Sequence, residues 1–211
     1  MKLFKNRIDA GKLLANKLKH YFNDRGVIVL GIPRGGVVVA YEIAKKLKLS
    51  LDIIVVRKIG APTQPELALG ALDPDGEVVW NEEILRDRGE VWDIREIINK
   101  EWKELKRRED AYRNGRKQLE LSEKTVILVD DGMATGWSAL SACKYLKRHG
   151  AKVILGLPVA SKDALERVKL EDSKVIVLEV PEDFHAVGQF YEQFGDVSDE
   201  DVIKILLTGV P

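Results

Sequence analysis

The sequence predicts an α/β fold: a doubly wound, mostly parallel sheet with helices on both faces. Two observations carry this expectation. Short apolar runs such as Val27-Ile28-Val29-Leu30 and Val126-Ile127-Leu128-Val129 read as strands buried on both sides. Between such runs lie stretches whose apolar positions recur with helical spacing, the alternation that builds a parallel sheet. No internal repeat, low-complexity tract or flexible linker breaks the pattern, so residues 1–211 are expected to form one domain.

The elements follow in order. Residues 9–22 form an amphipathic helix through Ala10, Leu14, Leu18 and Tyr21. The first strand closes at Gly31 and Pro33, and Val37, Ala40, Tyr41, Ala44 and Leu47 trace the next helix. Residues 51–56 and 68–72 read as a second and third strand. The Asp73-Pro74-Asp75-Gly76 turn then returns the chain through Val78, Val79 and Trp80 as a hairpin. Asn81 has the character of a helix cap. Residues 92–119 form a long charged helix, in which Ile98, Leu105, Tyr112 and Leu119 recur every seventh residue, with Ile94 and Trp102 beside them. Glu104 with Arg108 and Glu109 with Arg113 are favourable i,i+4 pairs on its wet side. This helix either lies on the core or forms a dimer contact. Residues 125–129 are a strand, 135–149 a helix ended by Gly150, and 152–158 a strand. Ser161 caps a helix to Val168, and 174–180 form the last strand. An aromatic tail follows Pro181 and ends in a helix opened by Ser198-Asp199-Glu200-Asp201.

Composition narrows the function classes. The 34 Lys and Arg balance the 34 Asp and Glu, so no global field exists for gripping nucleic acid or an anionic membrane. Apolar stretches fall well short of the roughly 18 residues of a membrane span, and the first residues lack the apolar core of a secretory signal. Cys143 is the only cysteine, which suits a reducing, cytoplasmic setting and offers no thiolate metal site.

Two strand-to-helix junctions stand out, because ligands of such sheets bind beyond the carboxyl ends of the strands. At the first, an apolar strand runs into Asp130-Asp131-Gly132-Met133-Ala134-Thr135-Gly136-Trp137-Ser138. Loop amides, the helix end and the hydroxyls of Thr135 and Ser138 suit a phosphate monoester, and two adjacent carboxylates suit a sugar diol. The glycine spacing is not that of a P-loop. The second junction is Gly31-Ile32-Pro33-Arg34-Gly35-Gly36. Pro33 stands where a dinucleotide fingerprint needs its second glycine, so that reading fails. Exposed amides beside Arg34 suit pyrophosphate instead.

The first junction resembles the phosphoribosyl pyrophosphate (PRPP) signature of the type I phosphoribosyltransferases. The second stands where that family keeps its pyrophosphate loop. Val55-Val56-Arg57-Lys58 stands where the family has basic residues leading into a mobile lid. Residues 8–180 follow the family's order of elements, with an inserted helical segment near 82–120 and a C-terminal hood near 181–211. Pro65-Glu66-Leu67-Ala68-Leu69-Gly70-Ala71 and Phe184-His185-Ala186-Val187-Gly188-Gln189-Phe190-Tyr191 resemble motifs of a group of bacterial and archaeal predicted phosphoribosyltransferases.

The resemblance implies transfer of 5-phosphoribosyl from PRPP to a nitrogenous acceptor, with Mg²⁺ and release of pyrophosphate, and a homodimer. It assigns Arg34 and Lys58, with Arg57 and the amides of Gly35 and Gly36, to the pyrophosphate. Asp130 and Asp131 go to the ribose diol and Mg²⁺, Thr135, Gly136 and Ser138 to the 5-phosphate, and Gly132, Met133, Ala134 and Trp137 to the substrate site around them. Glu66 is either a base carried by a flexible 60–65 loop or an exposed carboxylate. Trp137 either packs beneath the loop or flanks the ligand. Ala134 replaces the third acid of the hypoxanthine–guanine branch, which argues against ordinary 6-oxopurine salvage. Phe184, His185, Phe190, Tyr191 and Phe194 either pack the tail onto the sheet or stack an acceptor. The competing function is a PRPP-binding regulator without turnover. A sugar-phosphate hydrolase is a more distant third.

Overall fold

The computed structural model describes residues 3–87, 93–169 and 173–208, without the side chains of Pro65, Glu66 and Asp87. Its centre is a five-stranded parallel sheet of β1 (Val27–Gly31), β2 (Ser50–Ile53), β6 (Thr125–Val129), β7 (Lys152–Val159) and β8 (Lys174–Glu179), in the order β2-β1-β6-β7-β8. The expected doubly wound sheet is thus present. Strand residues alternate between two apolar layers, which is why the runs are continuous rather than alternating. Ile28, Val126 and Leu128 face α5 (Trp137–Arg148) and α6 (Lys162–Lys169), while Val29, Ile127 and Val129 face α1 (Arg7–Lys17) and α2 (Gly35–Leu47).

The strand expected over 51–56 ends at Ile53. Beyond it the chain crosses between two cores, with Ile54 and Val56 in one and Val55 in the other, so buried alternation persists without a strand partner. The chain then enters a separate antiparallel sheet of β3 (Arg57–Ala61), β4 (Gln64–Leu72) and β5 (Val78–Trp80). The expected flexible loop over 60–65 is therefore the tip of a β3–β4 hairpin, irregular around Gly60. The expected β4–β5 hairpin forms. At Asp73, the wholly buried carboxylate accepts from the amides of Asp75 and Glu77 and from Arg148 at 2.6 Å.

Asn81 precedes α3 (Glu82–Asp87), but its side chain donates to the Ala68 carbonyl at 3.2 Å, tying the helix start to β4. The long helix is α4 (Ile94–Arg113), not 92–119. Asn114 and Gly115 stop it at φ +46° and +80°, and Trp92 lies outside the described residues. Leu119 packs from beyond the helix, so its place in the heptad is a coincidence of spacing. The Glu104–Arg108 and Glu109–Arg113 pairs form, at 2.7 and 3.6 Å. Leu105 and Tyr112 are fully buried with Ile59, Leu72 and residues of α7 (Asp199–Leu207), so α4 lies on its own chain's core. Arg113 fixes its C-terminal end, donating to both Asp52 carboxylate oxygens at 3.2 and 3.0 Å and to the Ile53 carbonyl.

Candidate active site

In the order β2-β1-β6-β7-β8 the connections reverse between β1 and β6. The crevice beyond the carboxyl ends of those two strands is where such a sheet takes a ligand. Both motif loops open there. β1 ends at Gly31 beside Val129 of β6, after which one strand leads to Arg34 and the other to Asp130.

The two loops touch. A Cβ on Gly35 would lie 1.9 Å from Asp131 Oδ2, and one on Gly36 would lie 2.8 Å from Asp130 Cα. The glycines are thus required by close approach, and they set the α2 end against the acidic pair. The peptide between Pro33 and Arg34 is cis. Arg34 stands at the N-cap of α2 with its side chain 43% exposed and a terminal nitrogen 3.9 Å from Asp199 of α7. Asp199 is itself held by the Tyr112 hydroxyl at 2.7 Å and Arg107 at 3.3 Å, so α4 and α7 back the arginine.

The two acids are unequal. Asp131 accepts from Arg7 Nε at 2.7 Å, and both side chains are largely buried. Asp130 accepts from the Asp131 amide at 2.8 Å. Desolvation at the strand end, followed by the neighbouring Asp131 charge, holds the Asp130 carboxyl well above the ordinary carboxylate range.

Beyond the acids, the loop is fixed by its neighbours. Gly132 leaves room for Val187, whose Cγ1 would lie 2.4 Å from a Cβ there. Buried Met133 bridges to Ala160, and Ser161 Oγ donates to the Ala134 carbonyl at 2.7 Å. Ala134 and Thr135 are exposed, and the Thr135 carbonyl accepts from Arg167. Gly136 takes φ +81° at the start of α5. Trp137 packs against the core beneath the loop and carries the Arg167 guanidinium 4.6 Å from its ring centre. Ser138 is half-buried in the first turn.

The helix starts differ in their capping. The starts of α1, α4, α6 and α7 are capped by Asn6, Asp93, Ser161 and Ser198. No side chain caps α2 or α5, and these are the two helices that open onto the crevice. Their first-turn amides and positive dipole ends face the space where an anion would lie.

The lid residues divide. Arg57 Nη2 pairs with Glu101 of α4 at 2.6 Å, which directs it to that helix. The β3–β4–β5 register puts Lys58 on the opposite face, with Ala71 and Val79, and Val79 packs toward the main core. The Glu66 side chain lies outside those described.

The aromatic tail serves mainly as packing. Phe190 and Tyr191 are buried with Phe4, Phe184 stacks on Phe190, and His185 pairs with Asp183 while 82% exposed. Tyr191 also donates its hydroxyl to the Asp131 carbonyl at 2.5 Å. Burial, with the Asp131 charge beside it, keeps that phenol protonated. Phe194 lies beneath Arg7, 3.8 Å from guanidinium carbon to ring centre. Sequence reasoning did not single out Arg7, Arg167 or Asp199. Nothing in their local sequence distinguishes them from surface charges.

Fold and site together define an α/β protein whose two motif loops meet at a strand-order reversal. The model of the phosphoribosyl transferase domain family matches residues 3–194, and the chain belongs to that family. A Mycobacterium tuberculosis protein named "Putative phosphoribosyl transferase Rv0571c" is 42% identical over 208 residues, 98% of this chain and 47% of that protein. The chain thus spans about half the length of this curated relative. The crystal structure of TT1426 from Thermus thermophilus is also 42% identical, covers 99% of both chains and superposes with a TM-score of 0.81. A uracil phosphoribosyltransferase of Exiguobacterium is 35% identical over 83 residues, 38% of this chain and 40% of its own.

Proposed function

We propose that the chain is a PRPP-dependent phosphoribosyltransferase, transferring 5-phosphoribosyl to a nitrogenous acceptor. One observation carries the reading: α2 and α5, neither of them capped by a side chain, open on either side of the Asp130–Asp131 pair, at the strand-order reversal. A ligand with one phosphoryl group at each end and hydroxyls between them matches that arrangement.

The chain's residues divide the work accordingly. The Thr135 and Ser138 hydroxyls and the α5 amides hold the 5-phosphate, which fixes the ribose in place. Asp130 and Asp131 accept hydrogen bonds from the diol. The acceptor nitrogen's lone pair forms a bond to C1 while the C1–O bond breaks, its electron pair leaving with pyrophosphate. Charge therefore grows on the leaving group, where Arg34, Lys58 and the Gly35 and Gly36 amides stabilise it. Arg57, held by Glu101, supports the hairpin rather than the phosphates.

The donor set suits Mg²⁺, a hard cation that takes carboxylate oxygens, retains waters and draws ligands from substrate phosphates. Asp131 is already paired with Arg7, which leaves Asp130 as the principal oxygen donor in its ionised form, a form that a bound cation would favour against the desolvation that otherwise holds its proton; the ion would there neutralise developing phosphate charge. No three His, Cys, Asp or Glu among the described residues form a separate metal cluster.

Glu66 remains a proposed base at the hairpin tip, and the acceptor is open beyond its nitrogen. No helix among the described residues is long and apolar enough to cross a membrane, and a cytoplasmic setting remains our reading. A homodimer would use a face other than the apolar stripe of α4, which is buried in its own chain.

The test is incubation with PRPP, Mg²⁺ and a panel of purine, pyrimidine and amine acceptors, following pyrophosphate release. Release that disappears in the Asp130→Asn/Asp131→Asn variant supports transfer. Thermal stabilisation by PRPP without release from any acceptor supports the regulator instead, and absence of both rejects the site.

A further inference from the structure

We infer that Arg7 is a positioning residue of the sugar-binding site: it holds Asp131 as a fixed, charge-compensated anchor and leaves Asp130 to meet the ligand. The inference rests on the reading of the crevice as a PRPP site and adds to it a residue from outside both motif loops.

Arg7 opens α1, next to the Asn6 cap, and reaches across the sheet ends to a loop 124 positions away in sequence. It is fixed there by three contacts. Nε donates to Asp131 Oδ2 at 2.7 Å, Nη1 donates to the Gly195 carbonyl at 2.7 Å, and the guanidinium carbon lies 3.8 Å from the Phe194 ring centre. Its side chain is only 12% exposed. A guanidinium so tied presents one directed bond to the carboxylate, which an ammonium on a flexible stem would not reproduce.

The surroundings reinforce the geometry. The segment before α1 and the C-terminal tail are zipped together: the Leu3 and Phe4 amides donate to the Phe190 carbonyl, and those of Glu192 and Gln193 donate to the carbonyls of Phe4 and Lys5. That clasp places Arg7 on the Asp131 side chain and Tyr191 on the Asp131 backbone carbonyl. Gly35 closes the other side, where a Cβ would come within 2.8 Å of Arg7 Nε. Asp131 is therefore gripped at side chain and main chain, while the bond to Asp130 comes from the next amide. Two adjacent carboxylates without a fixed cation would repel each other and an incoming polyphosphate. With Arg7 in place, the Asp131 carboxylate is paired and held in one orientation.

The experiment measures PRPP affinity by calorimetry in Mg²⁺ for wild type, Arg7→Gln, Arg7→Lys, Asp131→Asn and the Arg7→Gln/Asp131→Asn double variant. Arg7→Gln is expected to raise the Kd at least tenfold and Arg7→Lys to recover part of that loss. The double variant is expected to bind no more weakly than the worse single variant, because both remove the same interaction. Where turnover is measured, the loss falls on KM rather than kcat. Wild-type affinity in Arg7→Gln, or losses that multiply in the double variant, overturns the inference. If Arg7→Gln fails to fold, Phe194→Ala decides: it removes the surface under the guanidinium, and unchanged affinity there overturns the inference. Wild type that binds no PRPP rejects the underlying site reading, whereas wild type that binds while Arg7→Gln binds equally rejects this inference alone.

Discussion

Replacing Gly35 by alanine tests whether the two motif loops form one site. The added Cβ would stand 1.9 Å from Asp131 Oδ2 and 2.6 Å from its Cγ, whereas ordinary contact begins near 3.4 Å. The carboxylate must therefore retreat about 1.5 Å, the gap between those distances, or α2 must move by a similar amount. The backbone itself accepts alanine, because Gly35 begins a helix without a positive φ and alanine favours helices. Strain is thus confined to the junction, at about 1–3 kcal/mol for overpacking. A displacement of about 1 Å in a positioning group can cost roughly 100-fold, or about 2.7 kcal/mol. We expect PRPP affinity or turnover to fall about 100-fold in Gly35→Ala, with a far smaller change in melting temperature than unfolding of the core would produce. Calorimetry or pyrophosphate release, read beside a thermal melt, makes the comparison. Gly156→Ala is the reference, since its Cβ meets nothing closer than 3.4 Å. A Gly35→Ala protein that binds PRPP like wild type would refute the shared site.

Two further predictions concern the frame behind the site. Arg113→Ala leaves the Asp52 carboxylate, 9% exposed, without its cation, and should lower stability by about 3 kcal/mol in urea titration with an unchanged slope. Tyr112→Phe removes the hydroxyl bond that is the largest cause holding Asp199 below its ordinary range, with Arg107 as a further cause. The deficit relative to wild type should be about 1.5 kcal/mol at neutral pH. A depressed folded-state pKa stabilises above the unfolded value of about 3.9, and that contribution fades as pH falls through the lower folded value. The deficit should shrink across that acid range, and a constant difference down to pH 2 would contradict the assignment.

Legibility from sequence followed the range of the interactions. The strands 27–30 and 125–129, the helix from Ser161 and the capped start at Ser198 were readable because each is specified by neighbours within a few residues. The crossing at Ile54–Val56 was not, because two cores impose the same alternation on a strand and on a chain passing between them. The long helix was overrun to 119 for a related reason: heptad spacing continued after Asn114 and Gly115 had turned the backbone. At the candidate site, both loops could be picked out because their composition suits anion and diol chemistry. Arg7, Arg167 and Asp199 were illegible because each acts across more than 30 positions of sequence, and a solvated charge has the same local pattern.

On the proposed function, the charge layout accounts for selection of a polyanion by a chain with no net charge. Positive potential is concentrated at two helix ends and at Arg34, where no side-chain oxygen competes for the first amides. Between them lie two carboxylates, an arrangement that would repel a simple phosphate unless hydroxyls or a cation accompanied it. Arg7 offsets the charge of Asp131, with its Nε and Nη1 engaged with Asp131 and Gly195. A ligand that carries phosphoryl groups at both ends and a diol between them meets every group in a favourable sense. A phosphate alone or a sugar alone meets only one of them. On the proposed function, discrimination lies in spacing rather than in total charge, so Gly35 and Gly36, which set how closely the Arg34 loop approaches the acids, would act as specificity elements although they have no side chains.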